Sequence, residues 1–133
     1  MLKIQNKIYL SWDDVNQLVD KLCDQITKSE IPVKSVLGLK RGGLIPAVMV
    51  SHKLNIPFVD NILPSTLVID DICDSGVTLK DSLAQHTAVL YHKPHTSCFT
   101  PNIYSEVHDG DEWLIFPWEA KDSEQIQDYL KNR

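Results

Sequence analysis

The sequence is poor in cysteine, in glycine and in long apolar runs. Three cysteines, Cys23, Cys73 and Cys98, are too few and too far apart for a disulfide framework and are typical of reduced thiols. Five glycines without a period exclude a collagen-like chain. No run reaches the ~18–20 apolar residues of a membrane-spanning helix, and the N-terminus lacks the apolar core of a signal peptide. We therefore expect a cytoplasmic protein without a membrane span.

Positive charge is also scarce. Thirteen Lys and Arg residues stand against 18 Asp and Glu, which gives a net charge of -5 at pH 7. Sequence-independent nucleic-acid binding needs a basic face, so we expect no nucleic-acid partner. The 133 residues are 43% hydrophobic, which is close to average for a globular protein and sufficient for one core. With no linker and no internal repeat, the chain is predicted to form a single domain over residues 1–133.

The apolar pattern alternates between strand-like and helix-like segments. Ser11 is a predicted N-cap, and the stripe from Val15 to Ile26 predicts an amphipathic helix. Strands are predicted at residues 7–10, 33–39, 58–59, 67–69, 87–91 and 112–116, helices also at 44–54, 78–85 and 122–130, a turn at 40–43 and a loop at 70–77. This order predicts an α/β fold, with a mostly parallel twisted sheet flanked by helices. Ligands of such sheets bind beyond the carboxyl ends of the strands.

The segment after the predicted strand at residues 67–69 combines carboxylates, hydroxyls and a glycine. Amides that open a helix favour an anion such as phosphate. Asp70 and Asp71 would repel a bare phosphate, so they suit sugar hydroxyls or a divalent cation. A simpler interpretation is that the acids only end a strand and cap a helix. The combination of an apolar strand, three acids, a Ser-Gly pair and a threonine makes this simpler interpretation less favourable. The order is Asp70-Asp71-Ile72-Cys73-Asp74-Ser75-Gly76-Val77-Thr78.

Three further segments carry candidate binding groups. The turn Lys40-Arg41-Gly42-Gly43 is either an amide-lined anion site or only a tight connection. Lys93, at the end of a strand, is either a donor to a carbonyl oxygen or a solvated lysine. The third segment, residues 112–119, has aromatic residues near a predicted strand. Such residues usually belong to the core, and we assign Phe116 and Trp118 mainly to it. A zinc site at His92, His95 and Cys98 lacks a fourth ligand at comparable spacing, so we do not predict it.

Residues 67–78 strongly resemble the phosphoribosyl-pyrophosphate (PRPP) signature of type I phosphoribosyltransferases, with Ser75 where Thr is commoner. The resemblance implies the type I fold with a small hood region. It implies that the amides from Asp74 to Thr78 hold the 5-phosphate of PRPP. It also implies that Asp70 and Asp71 contact ribose hydroxyls and Mg²⁺. The implied PRPP-binding residues are Asp70, Asp71, Asp74, Ser75, Gly76, Val77 and Thr78.

The resemblance extends over residues 9–119 and is strongest to bacterial xanthine-guanine phosphoribosyltransferases. The turn at 40–43 is similar to their pyrophosphate loop, where a cis non-proline peptide occurs, here Lys40–Arg41. Lys93 resembles the lysine that recognises the 6-oxo group of a purine. Trp113 matches the aromatic residue that stacks on the base, and Leu114 would present backbone groups to it. The implied pyrophosphate-binding residues are Lys40, Arg41, Gly42 and Gly43.

The resemblance implies that the chain transfers the 5-phosphoribosyl group of PRPP to guanine, xanthine or hypoxanthine and releases pyrophosphate. Asp74 would accept the purine proton, and Arg41 would stabilise the leaving pyrophosphate. Mg²⁺ would be the cofactor, and the protein would form a homodimer or homotetramer.

The chain departs from the family pattern at residues 60–66, which are too short for the mobile loop that closes the site, and at Lys40, where a smaller residue is usual. A non-catalytic PRPP or nucleotide sensor is therefore an alternative. A phosphate-binding domain of another chemistry is a third. Residues 98–111 carry no clear pattern and are a candidate for part of the hood.

Overall fold

The computed structural model describes residues 1–120 and contains two sheets. The chain forms β1 (Leu2–Ile4), β2 (Lys7–Tyr9), α1 (Trp12–Lys28), β3 (Ser35–Gly38), α2 (Leu44–Leu54), β4 (Thr66–Cys73), α3 (Val77–Ser82), β5 (His86–His92), β6 (Ile103–Val107) and β7 (Trp113–Ile115). Strands β3-β4-β5-β6 form a parallel sheet, and β1-β2-β7 form a smaller one. The predicted α/β fold is confirmed. The helix predicted at 122–130 lies outside the described residues.

The helix α1 begins where the sequence predicts. Ser11 and Asp14 form a capping box in which each side chain accepts a hydrogen bond from the other residue's amide, at 3.0 and 2.8 Å. The predicted apolar stripe is buried. It packs against α2, β5 and β6. In the described part of the chain, neither α1 nor any other helix has the length and apolar character to cross a membrane.

Both faces of the large sheet are covered. Leu67 and Ile69 of β4 face the main core with α1 and α2, whereas Val68 faces a smaller cluster with Leu79 of α3. This alternation explains why residues 67–69 form an uninterrupted apolar run.

The strand order reverses between β3 and β4. After β3, the helix α2 leads to Phe58, which pairs with Val36 on the side of β3 that faces away from β4. The chain then returns across β3 to form β4. The chain therefore leaves the carboxyl end of β3 in one direction across the sheet and the carboxyl end of β4 in the other. In α/β sheets a ligand crevice forms at such a reversal.

Several predicted boundaries are wrong. The strand β4 continues to Cys73, so Asp70 and Asp71 lie in a strand and not in a loop at 70–77. The cause is the ladder to β5, which persists through the pair Cys73↔His92. The helix α3 covers Val77–Ser82 instead of 78–85. The predicted strand at 58–59 is reduced to one bridge.

The assignment of strands to sheets also needs correction. The strands predicted at 7–10 and 112–116 pair with each other, as β2 and β7, and are not part of the large sheet. The segment 98–111 contains β6, which pairs with β5 in the large sheet. That part of the segment therefore does not belong to the hood. The strand β1 was not predicted and completes the small sheet.

Candidate active site

The signature turn, residues 73–78, connects β4 to α3. Gly76 has φ +82°, a conformation that side-chain-bearing residues rarely adopt. Ser75 Oγ accepts a hydrogen bond from the amide of Val77 at 3.3 Å. Thr78 lies in the first turn of α3, where amides have no acceptor within the helix. This arrangement gathers several backbone donors near the carboxyl end of β4.

The turn at residues 40–43 connects β3 to α2. Its Lys40–Arg41 peptide bond is cis, as the resemblance implies. Lys40 and Arg41 are exposed, and the Gly43 amide donates to the carbonyl of Leu39 at 2.8 Å. A Cβ at Gly43 would collide with the backbone of Leu39 and Ile69, which explains the requirement for glycine.

The turn at residues 40–43 meets the strand β4 at Gly42 and Asp71. A Cβ on Gly42 would collide with the carboxylate of Asp71, so this side chain of β4 points towards the turn at 40–43. Asp70 Oδ1 accepts a hydrogen bond from the amide of Asp71 at 2.9 Å, and both residues are half-buried. Two carboxylates beside the turn at 40–43 form a suitable place for a divalent cation that also contacts a ligand's phosphates.

The donor set fits Mg²⁺ and not a closed metal cage. Mg²⁺ commonly uses one or two carboxylates, waters and substrate phosphates, and Asp70 and Asp71 supply two carboxylates. Across residues 1–120, no three or more His, Cys, Asp and Glu side chains are arranged to hold a metal by themselves. This includes His92, His95 and Cys98.

Asp74 lies beside a buried lysine. Lys93 follows β5, and its Nζ is 3.7 Å from Asp74 Oδ1, with side-chain exposures of 9% and 14% respectively. The hydroxyl of Thr96 is 2.7 Å from the same Oδ1. The structure thus brings together Asp74 and Lys93, which were predicted from separate segments, and adds Thr96, which was not predicted.

Trp113 and Leu114 lie in the small sheet on β7. Trp113 is half-buried, and Lys7 Nζ lies 5.0 Å from its ring centroid. Leu114 buries its side chain in the main core, which leaves only its backbone groups as candidates for ligand contact. Phe116 is buried and stacks on Trp118 at 4.8 Å between ring centroids, which confirms the assignment of both to the core.

Cys73 and His92 form a buried pair of neighbours across β4 and β5. Burial raises the pKa of the Cys73 thiol, so the group stays protonated and suits packing rather than nucleophilic attack. Burial also lowers the pKa of His92, which favours a neutral ring. No described group bonds the buried Nδ1 of His92.

No protein-family model matches the chain. A xanthine-guanine phosphoribosyltransferase from Chromohalobacter salexigens is 26% identical over an alignment of 136 positions, and the alignment covers 83% of this chain and 82% of the relative. Another, from Cereibacter sphaeroides, is 32% identical over an alignment of 116 positions, and the alignment covers 65% of this chain and 69% of the relative.

Solved structures share the fold. A purine phosphoribosyltransferase from Pyrococcus horikoshii superposes with a TM-score of 0.74 at 26% identity, over 92% of this chain and 100% of the other. A xanthine-guanine-hypoxanthine phosphoribosyltransferase from Helicobacter pylori gives a TM-score of 0.72 at 20% identity, over 94% of this chain and 98% of the other. The chain therefore belongs to the xanthine-guanine phosphoribosyltransferases, which are pentosyltransferases with the type I phosphoribosyltransferase fold.

Proposed function

We propose that this chain transfers the 5-phosphoribosyl group of PRPP to a 6-oxopurine and releases pyrophosphate. The observation that carries the proposal is the Lys93–Asp74 pair, in which a donor and an acceptor lie 3.7 Å apart and largely buried. Guanine, xanthine and hypoxanthine offer the complementary edge, because the O6 acceptor lies next to an N7–H donor in one tautomer. Adenine offers a donor at position 6, which would leave the Lys93 ammonium unmatched in a buried site.

The proposed PRPP site uses the two turns at the reversal of strand order. The amides of the signature turn would bind the 5-phosphate, and Asp70 and Asp71 would bind the ribose hydroxyls. The turn at 40–43 would bind the pyrophosphate. The full proposed set comprises Asp70, Asp71, Asp74, Ser75, Gly76, Val77 and Thr78 for PRPP, Lys40, Arg41, Gly42 and Gly43 for pyrophosphate, and Lys93, Trp113 and Leu114 for the purine.

In the proposed reaction, a bond forms between purine N9 and C1′ of the ribose while the bond from C1′ to the pyrophosphate oxygen breaks. The purine loses its N7 proton, which Asp74 accepts. Arg41 and the Gly42 amide would stabilise the negative charge on the leaving pyrophosphate, whereas the Gly43 amide is already bonded to the Leu39 carbonyl. Trp113 and Lys93 would hold the base in line with C1′.

Mg²⁺, held by Asp70 and Asp71, would supply further charge neutralisation to the pyrophosphate.

The test is an assay of each purine with PRPP and Mg²⁺, using the wild type, Lys93→Met and the control Lys80→Met, which removes an exposed lysine of α3. We expect transfer to 6-oxopurines and not to adenine. Lys93→Met should lose most of the transfer, and Lys80→Met should retain it. No turnover by the wild type with any purine at high enzyme concentration would overturn the proposal.

A second candidate is a non-catalytic protein that binds PRPP or a nucleotide in the same site. It is favoured by the short connection at 60–66, where the resemblance leads one to expect a long closing loop. Calorimetry separates the two candidates, since binding of PRPP without product formation selects the second. Absence of PRPP binding contradicts both and favours phosphate-binding chemistry of another kind.

A further inference from the structure

Residues 93–99, which we call the strap, cross the signature turn and bond to it through the backbone. The amide of Lys93 donates to the carbonyl of Cys73 at 2.9 Å, and the amide of Cys98 donates to the carbonyl of Ser75 at 2.8 Å. The strap is therefore anchored on both sides of Asp74, the residue to which the proposed function gives the proton.

The strap also fills the space beside Gly76. A Cβ at Gly76 would lie 2.6 Å from Ser97 Oγ and 2.9 Å from the amide nitrogen of Phe99. The turn and the strap are thus in direct contact, and neither can shift without displacing the other.

Thr96 contacts Asp74 through its hydroxyl. Thr96 Oγ1 lies 2.7 Å from Asp74 Oδ1, 3.0 Å from the Asp74 carbonyl and 3.4 Å from the Lys93 carbonyl. A hydroxyl has one proton, and its shortest contact is to the carboxylate, where a charged acceptor strengthens the hydrogen bond. Lys93 Nζ approaches the same Oδ1 at 3.7 Å. The hydrogen bond from Thr96 and the ion pair with Lys93 together restrict rotation of the Asp74 carboxylate.

We propose that Thr96 is a positioning residue, which holds the Asp74 carboxylate in the orientation needed to accept the purine proton. The inference rests on the proposed function, because it concerns the same reaction. Thr96 acts through Asp74 and does not need to touch either substrate. Its loss should therefore reduce the rate of the chemical step more than the binding of PRPP or purine.

The experiment compares Thr96→Val, which removes the hydroxyl at nearly constant shape, with Thr96→Ser, which keeps it. We expect kcat to fall roughly tenfold in Thr96→Val with KM values nearly unchanged, and to recover in Thr96→Ser. The control is Thr27→Val on α1, whose hydroxyl donates to the carbonyl of Cys23 at 3.0 Å and which should leave kcat unchanged. An unchanged kcat in Thr96→Val, or an equal fall in Thr96→Ser, would overturn the proposal.

A second readout does not depend on turnover. Three-bond NMR couplings across the Cα–Cβ bond of Asp74 should report one rotamer in the wild type and in Thr96→Ser, and rotamer averaging in Thr96→Val. An inactive wild type would overturn the proposed function. The NMR couplings would then still show whether Thr96 orients the Asp74 carboxylate. A single Asp74 rotamer in Thr96→Val would contradict the positioning role.

Discussion

At the scale of single residues, Asp74 is where the proposed chemistry and the observed contacts coincide. The carboxylate lies beside Lys93 and Thr96, and it follows the two carboxylates of β4 that would hold the sugar. Asp74 forms an ion pair with Lys93, the lysine proposed to read the base, at 3.7 Å. Its role in proton transfer can therefore be separated from sugar binding.

Asp74→Asn should lower turnover much more than PRPP affinity, because the amide keeps the size of the side chain but cannot accept the purine proton. General base catalysis commonly contributes about 10²- to 10⁴-fold, which sets the expected loss of kcat. Steady-state kinetics and PRPP calorimetry measure the two quantities. Asp81→Asn, an exposed position on α3, is the control. Equal losses of turnover and PRPP affinity would assign Asp74 to sugar binding instead.

Trp113→Ala should weaken purine binding by ~1–3 kcal/mol through lost stacking and burial. The structure leaves the Trp113 ring half-buried, with Lys7 Nζ 5.0 Å from its centroid. Trp12→Ala is the matched control, because Trp12 is 51% exposed and lies on α1. Purine titration by calorimetry gives the affinities. An unchanged purine affinity together with lower stability would assign Trp113 to the core.

At the scale of elements, the α1 capping box predicts a pH dependence of stability. The hydrogen bond from the Ser11 amide, together with the N-terminal ammonium, holds the pKa of the Asp14 carboxyl below its ordinary value, against an opposing effect of burial. A carboxylate with a lowered folded-state pKa stabilises the protein above its unfolded pKa, about 3.9, and this contribution is lost as the pH falls through the folded pKa.

Asp14→Asn should therefore lower the free energy of unfolding by ~0.5–1 kcal/mol at pH 7, and the difference from the wild type should narrow below pH ~3.9. Urea unfolding at pH 7 and pH 3 measures both quantities. Asp13→Asn removes a carboxylate of the same turn that is outside the capping box, so it controls for the helix dipole. A difference that stays constant from pH 7 to pH 3 would contradict this account.

Most elements could be predicted from local sequence signals, but the strands β1 and β6 could not. The stripe of α1 and its N-cap are correct because both signals are local. The strand β6 was missed because Ser105 occupies a buried position, where its hydroxyl donates to the Leu18 carbonyl at 2.7 Å. The strand β1 has only three residues, Leu2–Ile4, which is too short for their alternation to indicate a strand.

In the candidate site, too, groups of residues that are close together in the sequence could be predicted, whereas contacts between distant segments could not. The segments 40–43 and 70–78 could be found because their chemistry is contiguous in sequence. Thr96 could not be found, since its contact with Asp74 spans 22 residues and depends on the path of the strap. Likewise, the approach of Gly42 to Asp71 follows from the strand order of the sheet, which the local pattern does not specify.

At the scale of the whole molecule, the connection at 60–66 is short for a loop that closes over the proposed site. The Ser65 carbonyl accepts a hydrogen bond from the Lys34 amide at 2.9 Å, just before β3 begins. The segment therefore ends at the amino ends of β3 and β4, whereas the signature turn lies at the carboxyl end of β4. It also exposes Ile62 and Leu63, at 40% and 52%.

Phosphoribosyl transfer benefits from exclusion of water from the active site. Because residues 60–66 are too short to form a closing loop, a second copy of the chain is the simplest way to cover the proposed site. We therefore expect a homodimer or homotetramer whose specific activity falls on dilution, over the concentration range in which light scattering reports dissociation. Added bovine serum albumin controls for adsorption at low concentration. A monomer with constant specific activity would contradict this expectation, because each chain would then complete its active site alone.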